Sequence, residues 1–317
     1  MSARAAGRIV ETLLGVVEPL FADRLWLTRR RAQALVTAGE AERAMLYLHG
    51  ALARRPDDPW LHFYAGRAAQ GRELRRQARA RFAHAVALSP AEPTFRFALG
   101  YTLRQEGHLD AAAREYRVAL RTAPGEPSLL FNLGVVERDR GHLDVAQALL
   151  ERVVQKWPRD VRALYTLGVC AFERKDFEAA ERALDEAGRR DRRHHKARYQ
   201  RALLLLEDNH QTEALTDLRA VLKQVPDYGP AHYALGRALA ENEPTRARVH
   251  LREALLGRPP VLRAHLDLGR LLEQAGHLAE ARAEYVLYAR HHPEKRTEYI
   301  ARRLAALDVA LAEGARP

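Results

Sequence analysis

Apolar residues recur three and four positions apart along almost the whole chain, and the pattern itself repeats. Small residues mark the period. Ala32, Gly66, Gly100, Gly134, Gly168, Ala202, Gly236 and Gly269 stand 34 residues apart, the last step being 33. Twelve residues on comes an alanine: Ala44, Ala78, Ala112, Ala146, Ala180 and Ala214, with Ala247 one residue early and Ala281 back in phase. Four further stands a bulky apolar residue: Leu48, Phe82, Tyr116, Leu150, Leu184, Leu218, Leu251 and Tyr285. Prolines close most units at Pro56, Pro90, Pro124, Pro158, Pro226, Pro259 and Pro293, with Arg192 in that place in the fifth.

Each column has a physical reading. A small residue in one helix and another in the next let two antiparallel helices approach closely, and the apolar residues form a helical stripe. The proline falls after the second helix, which it cannot continue. Turn chemistry lies between the helices, as in Gly107-His108-Leu109-Asp110, Gly141-His142-Leu143-Asp144 and Gly276-His277-Leu278-Ala279. The seventh unit has lost one residue in its turn, around Asn242 to Pro244. The phase predicts eight helical hairpins at 25–58, 59–92, 93–126, 127–160, 161–194, 195–228, 229–261 and 262–295. A repeat cannot bury its own apolar face, so the ends need caps. Residues 1–24 predict an apolar helix through Ile9, Val10, Leu13, Leu14, Val17 and Phe21, read as a cap in preference to a membrane or partner helix. Residues 296–317 predict a capping helix and tail, with Ile300, Leu304, Leu307 and Leu311 on one face. No Pro/Gly/Ser-rich linker interrupts the series, which reads as one continuous domain.

Composition narrows the class. The 317 residues are 47% hydrophobic and 29% charged, enough for a core and not the composition of a disordered chain. A single cysteine, Cys170, excludes intramolecular disulfides and multi-cysteine zinc sites and fits a cytoplasmic compartment. Glu11, Glu18 and Pro19 break the N-terminal apolar stretch, which is not a signal peptide, and no stretch is long enough to span a membrane. The net charge of +11 has two readings: dispersed surface arginine, or attraction to nucleic acid, an anionic membrane or acidic partners. The arginine-rich, lysine-poor composition points to a GC-rich bacterial genome.

No Gly-rich phosphate loop, His-Glu-x-x-His or Gly-x-Ser-x-Gly is present, so neither catalysis nor a cofactor nor a metal is expected. Cys170 reads as a buried structural thiol, and His194-His195 and His291-His292 read as solvated histidines at unit ends.

The columns together resemble the tetratricopeptide repeat, a 34-residue helix–turn–helix with Leu-Gly, Ala, an aromatic, Ala and then Pro. Tyr101 to Pro124 and Asn132 to Pro158 carry the likeness most fully. The resemblance implies an all-α, right-handed superhelical solenoid with terminal capping helices, acting as a non-catalytic protein-interaction scaffold. It also implies that the first helix of each unit lines a concave groove. Carried over position by position, the groove residues are Phe97, Tyr101, Arg104, Phe131, Asn132, Val135, Arg138, Arg162, Tyr165, Val169, Phe172, Tyr199, Leu203, Leu206, Tyr233 and Arg237. Val135, Val169, Phe172, Leu203 and Leu206 make an apolar floor, flanked by arginines. The aromatic rungs serve packing or ligand contact. An apolar floor of this kind predicts one or more protein partners, held through an extended or helical segment with an apolar anchor and acidic neighbours. The alternative is RNA or single-stranded nucleic acid on the aromatic and arginine positions. The carboxylate-binding pattern of the chaperone-binding repeats is matched identically only by Asn132.

Overall fold

The computed structural model describes Val10, Thr12, Leu13, residues 25–292 and residues 298–314. The helix expected over 1–24 therefore lies almost wholly outside the described residues. Among them there are 17 helices and no strand. They belong to two compact units, the first ending at Pro158 and the second starting at Arg159.

The first unit holds four hairpins: α1 (Leu25–Ala38) with α2 (Ala41–Arg54), α3 (Pro59–Gly71) with α4 (Arg75–Leu88), α5 (Pro93–Gln105) with α6 (Leu109–Thr122), and α7 (Pro127–Asp139) with α8 (Leu143–Lys156). The second holds four more: α9 (Val161–Glu173) with α10 (Phe177–Arg190), α11 (His195–Glu207) with α12 (Gln211–Gln224), α13 (Gly229–Leu239) with α14 (Pro244–Leu256), and α15 (Ala264–Gln274) with α16 (Leu278–His291). Helix α17 (Glu298–Gly314) follows. Within each unit every helix packs on the next in sequence.

The starts and stops follow local chemistry. Pro59, Pro93 and Pro127 open α3, α5 and α7, where the missing N–H costs no helical bond. Asp58 and Asp160 cap α3 and α9, each accepting two backbone N–H groups. The hairpin turns need a left-handed residue. Gly39, Glu73, Gly107, Gly141, Lys175, Asn209 and Gly276 supply it, with φ between 59° and 81°. In the third hairpin the Gly107 N–H donates to Arg104 O at 3.0 Å and the His108 N–H to Leu103 O at 2.9 Å. Those two bonds satisfy the last free carbonyls of α5.

Hairpin closure rests on the small-residue column. A Cβ at Gly66 would stand 2.5 Å from the Phe82 ring, and at Gly100 or Gly269 it would stand 2.9 Å from Tyr116 or Tyr285. These three rings are fully buried. In the second unit the stripe expected on α17 faces inward: Ile300 and Leu307 are buried and Leu304 packs beside them against α15 and α16 residues.

Candidate functional site

With the recurring small residue counted as position eight of its hairpin, position five of the first helices carries an aromatic in both units. In the first unit Phe97 is half-buried, its ring centroid 6.0 Å from that of Tyr116, and Phe131 is half-buried one hairpin on. Tyr101 is 39% exposed. Asn132 donates its side-chain amide to Ser128 O at 2.7 Å, one turn back on its own helix. Val135 is 8% exposed and so belongs to the core more than to a surface floor. Arg104 and Arg138 converge on one carboxylate. Arg104 Nη2 lies 2.9 Å from Asp139 Oδ2, and Arg138 Nη2 lies 2.9 Å from Oδ1. The positive charge at these two positions is therefore partly spent within the protein.

The second unit brings the remaining residues together. Helices α9 and α11 lie side by side, as do α11 and α13. Val169 and Phe172 on α9, and Leu203 and Leu206 on α11, are half-buried rather than sealed. Phe172 is braced by Phe177 at 6.0 Å and by buried Ala171, Ala180 and Leu204. Leu203 and Leu206 pack at the edge of a core that includes Ala202, Leu205, Leu218 and Leu235. Beside these apolar residues stand Tyr165, with its ring 5.1 Å from His194, and Tyr199, edge-on to Tyr228 at 5.4 Å. Burial pushes the Tyr199 hydroxyl up to about 12, so it is a neutral donor at any ordinary pH. Tyr233 on α13 donates to Asp267 Oδ2 at 2.8 Å, and burial followed by that bond pushes it up to about 12 as well. Arg237 lies over the Tyr233 ring at 5.9 Å. Arg162 is held at Asp160, with Nη2 to Oδ2 at 3.0 Å. Burial raises the Asp160 carboxyl, but the Arg162 pair and helix N–H bonds outweigh it and the net shift is downward.

Other residues of the unit escaped the sequence reading. Tyr228 closes the hairpin against Tyr199, and Asp267 anchors Tyr233. Tyr299 of α17 lies under two guanidinium groups, Arg270 at 5.5 Å and Arg303 at 5.7 Å. The periodic columns could flag Arg270, which repeats Arg237, but Tyr299 lies beyond the last period. Cys170 is buried in α9. Among the described residues no group of three or more histidine, cysteine or carboxylate side chains could hold a metal, and no helix is long and apolar enough to cross a membrane.

Stacked helical hairpins with half-open apolar residues on their first helices define a helical-repeat protein with candidate ligand faces on those helices. Two family models, each described as tetratricopeptide repeat, match residues 63–127, 131–194 and 199–243, and residues 238–306. The chain belongs to the tetratricopeptide-repeat family. Neither model describes a catalytic family. No curated protein matches. Among solved structures the chain is similar to the APC/C hetero-tetramer Cut9-Hcn1, with TM-score 0.64 and 19% identity over 85% of this chain and 53% of that one. It thus spans about half the length of that relative. It is also similar to YrrB, a TPR protein with an unusual peptide-binding site, at TM-score 0.50 and 19% identity over 59% of this chain and 96% of that one. A third likeness is to the human IFIT1 dimer with PPP-AAAA, at TM-score 0.55 and 16% identity over 89% and 77%. At these identities the likeness is one of fold.

Proposed function

We propose that the chain is a non-catalytic scaffold that holds a segment of a partner protein on its first-helix faces, as an assembly or regulatory factor in a bacterial complex. One observation carries the reading. Val169, Phe172, Leu203 and Leu206 lie half-open on two adjacent helices, bordered by Tyr165 and Tyr199. Apolar side chains left partly wet beside aromatic rings gain most when a ligand covers them. The segment offered would be apolar with acidic neighbours, and a cytoplasmic setting suits it. The likenesses to a complex subunit and to a peptide-binding protein agree with this.

Val169→Asp with Leu203→Asp is the direct test. Both sites are half-exposed, so the helical CD spectrum stays unchanged while co-purifying partners are lost. Retention of every partner by a folded double variant refutes the reading. A second reading, single-stranded RNA, draws on Tyr233 with Arg237 and on the likeness to the IFIT1 dimer with PPP-AAAA. It requires retention of RNA that falls steeply with salt. Peptide is preferred because Val169, Phe172, Leu203 and Leu206 offer apolar contact and no phosphate-binding donor.

A further inference from the structure

Seven hairpin turns of the described chain are closed by a left-handed residue, and the seventh hairpin has lost it. There the Glu243 N–H returns to Leu239 O at 2.8 Å, within one turn, in place of the two-bond closure of the other hairpins. Helix α13 stops after 11 residues, and Glu243 ahead of α14 makes no side-chain cap bond.

The shortened turn borders a cavity of about 970 Å³ between this hairpin and α15. Its lining includes Arg237, Asn242, Arg248, Asp267, Arg270 and Gln274. A second cavity of about 530 Å³ shares Arg270 and Gln274 with it and adds Glu273, Tyr299 and Arg303.

The charges here are arranged, not scattered. Arg237, Arg270 and Arg303 come one each from α13, α15 and α17. All three are supported on tyrosine rings, Arg237 on Tyr233 and the other two on Tyr299. Of the lining carboxylates, Asp267 and Glu273 are already engaged. Asp267 accepts the Tyr233 hydroxyl at 2.8 Å and lies 3.7 Å from Arg270. Glu273 accepts the Tyr285 hydroxyl at 2.9 Å and lies 3.4 Å from Arg303. Arg270 and Arg303 also reach the Tyr299 hydroxyl, and a guanidinium with five N–H groups keeps others for a planar oxyanion.

We propose that this cavity is the acidic subsite for a peptide whose apolar residues rest on Val169, Phe172, Leu203 and Leu206, a deepening that rests on the function proposed above. It fixes the direction of the ligand: apolar residues at α9 and α11, carboxylates at α13, α15 and α17. Asn242 and Gln274 supply amides that fit a peptide backbone. Val169, Phe172, Leu203 and Leu206 offer a continuous phosphate backbone no charge, which favours peptide over nucleic acid.

The experiment selects a randomised twelve-residue peptide library on the full chain. It repeats the selection on Arg237→Glu/Arg270→Glu and on Arg237→Gln/Arg270→Gln, with CD to check each fold. The wild type is expected to enrich an apolar cluster with two or more Asp or Glu at fixed spacing to one side. The charge-reversed variant keeps the apolar cluster and exchanges the acidic residues for Lys or Arg. The Gln variant binds the wild-type peptides on the order of tenfold more weakly, and most of that loss vanishes in high salt. Selected peptides without acidic residues, or acidic residues retained on the reversed variant, overturn the subsite and leave the apolar reading standing. Absence of the apolar cluster as well overturns both. Tighter binding of a labelled 20-nucleotide single strand than of the selected peptides, lost on charge reversal, also overturns it.

Discussion

Substituting alanine for the glycine at the hairpin contact is expected to damage the second hairpin and spare the fourth, although both glycines occupy the same column. At Gly66 the added Cβ would stand 2.5, 2.7 and 2.9 Å from three atoms of the Phe82 ring. The ring is rigid and fully buried, so the helices themselves must part. Overpacking of this kind costs about 1–3 kcal/mol, and the distances place Gly66 near the top of that range. Alanine in a helix interior returns about 1 kcal/mol, which leaves a net loss of about 2 kcal/mol. At Gly134 the nearest atoms are Leu150 Cγ at 3.0 Å and Cδ2 at 3.2 Å. A leucine gives by tenths of an ångström, so the two effects cancel to about zero. The chain carries its own control: Ala32 and Ala202 fill the column where Leu48 and Leu218 stand opposite, never where an aromatic does. Gly66→Ala/Phe82→Leu reproduces that pairing and should recover most of the loss, a coupling of about 1–2 kcal/mol. Urea unfolding followed by CD gives the midpoints, and amide exchange in α3 and α4 gives the local effect in a chain whose hairpins need not melt together. A Gly66→Ala midpoint at or above wild type refutes the reasoning, as does a Gly134→Ala loss equal to that of Gly66→Ala.

The remaining expectations concern buried polar groups. Glu137 is 0% exposed and receives Arg117 at 2.5 Å, Arg140 at 2.7 Å and His142 Nδ1 at 2.8 Å. Glu137→Ala should cost about 2–3 kcal/mol in urea unfolding, less than a fully buried pair because Arg117 and His142 stay half-wet, while Glu137→Gln should lose less. In the seventh hairpin His232 Nε2–H donates to Pro226 O at 2.9 Å, which leaves its Nδ1 to accept from His250 at 3.0 Å. Burial, then the neighbouring His232, hold His250 below the ordinary 6.5, and burial does the same at His62. The folded chain then binds fewer protons than the unfolded one, so melting temperature should be level above about pH 7 and fall as pH drops below about 6.5. His62→Gln/His250→Gln should flatten that slope, and an unchanged slope would discard the assignment.

The hairpins were legible because one contact recurs. The first helices α3, α5, α7, α9, α11 and α13 begin at residues 59, 93, 127, 161, 195 and 229, in step with the small-residue column. Side-chain pairing was not legible, because it depends on which residues face each other across a hairpin. Arg96 with Glu115 and His265 with Glu284 are 19 residues apart, and only the packed geometry makes them partners at 2.6 Å. The same limit applies to the candidate site. Val135, Val169 and Leu203 share one position of the repeat, yet Val135 is buried while the other two are half-open. Arg104 and Arg138 read as free flanking charges, but Asp139 draws both inward. The lost turn residue near Asn242 was visible, whereas the cavity it borders was not, since that depends on how α15 packs beyond it.

Recognition therefore has to come from the columns that closure leaves free. Position eight and its partner across the hairpin are consumed by the helix contact, so every hairpin must repeat them and they distinguish no ligand. Positions nine and twelve carry no closure constraint: position nine changes from Val169 and Leu203 to Arg237 and Arg270, and position twelve from Phe172 and Leu206 to Ala240 and Glu273. Because each hairpin packs mainly on its neighbours, the shortened seventh turn is tolerated locally without disturbing closure elsewhere: Gly236 still meets Leu251, where an added Cβ would stand 2.7 Å from Cγ, as Gly168 meets Leu184, where it would stand 2.6 Å away. An irregularity that leaves the closing contact intact yet borders a cavity among supported arginines changes what the hairpin offers a ligand while leaving its stability nearly unchanged.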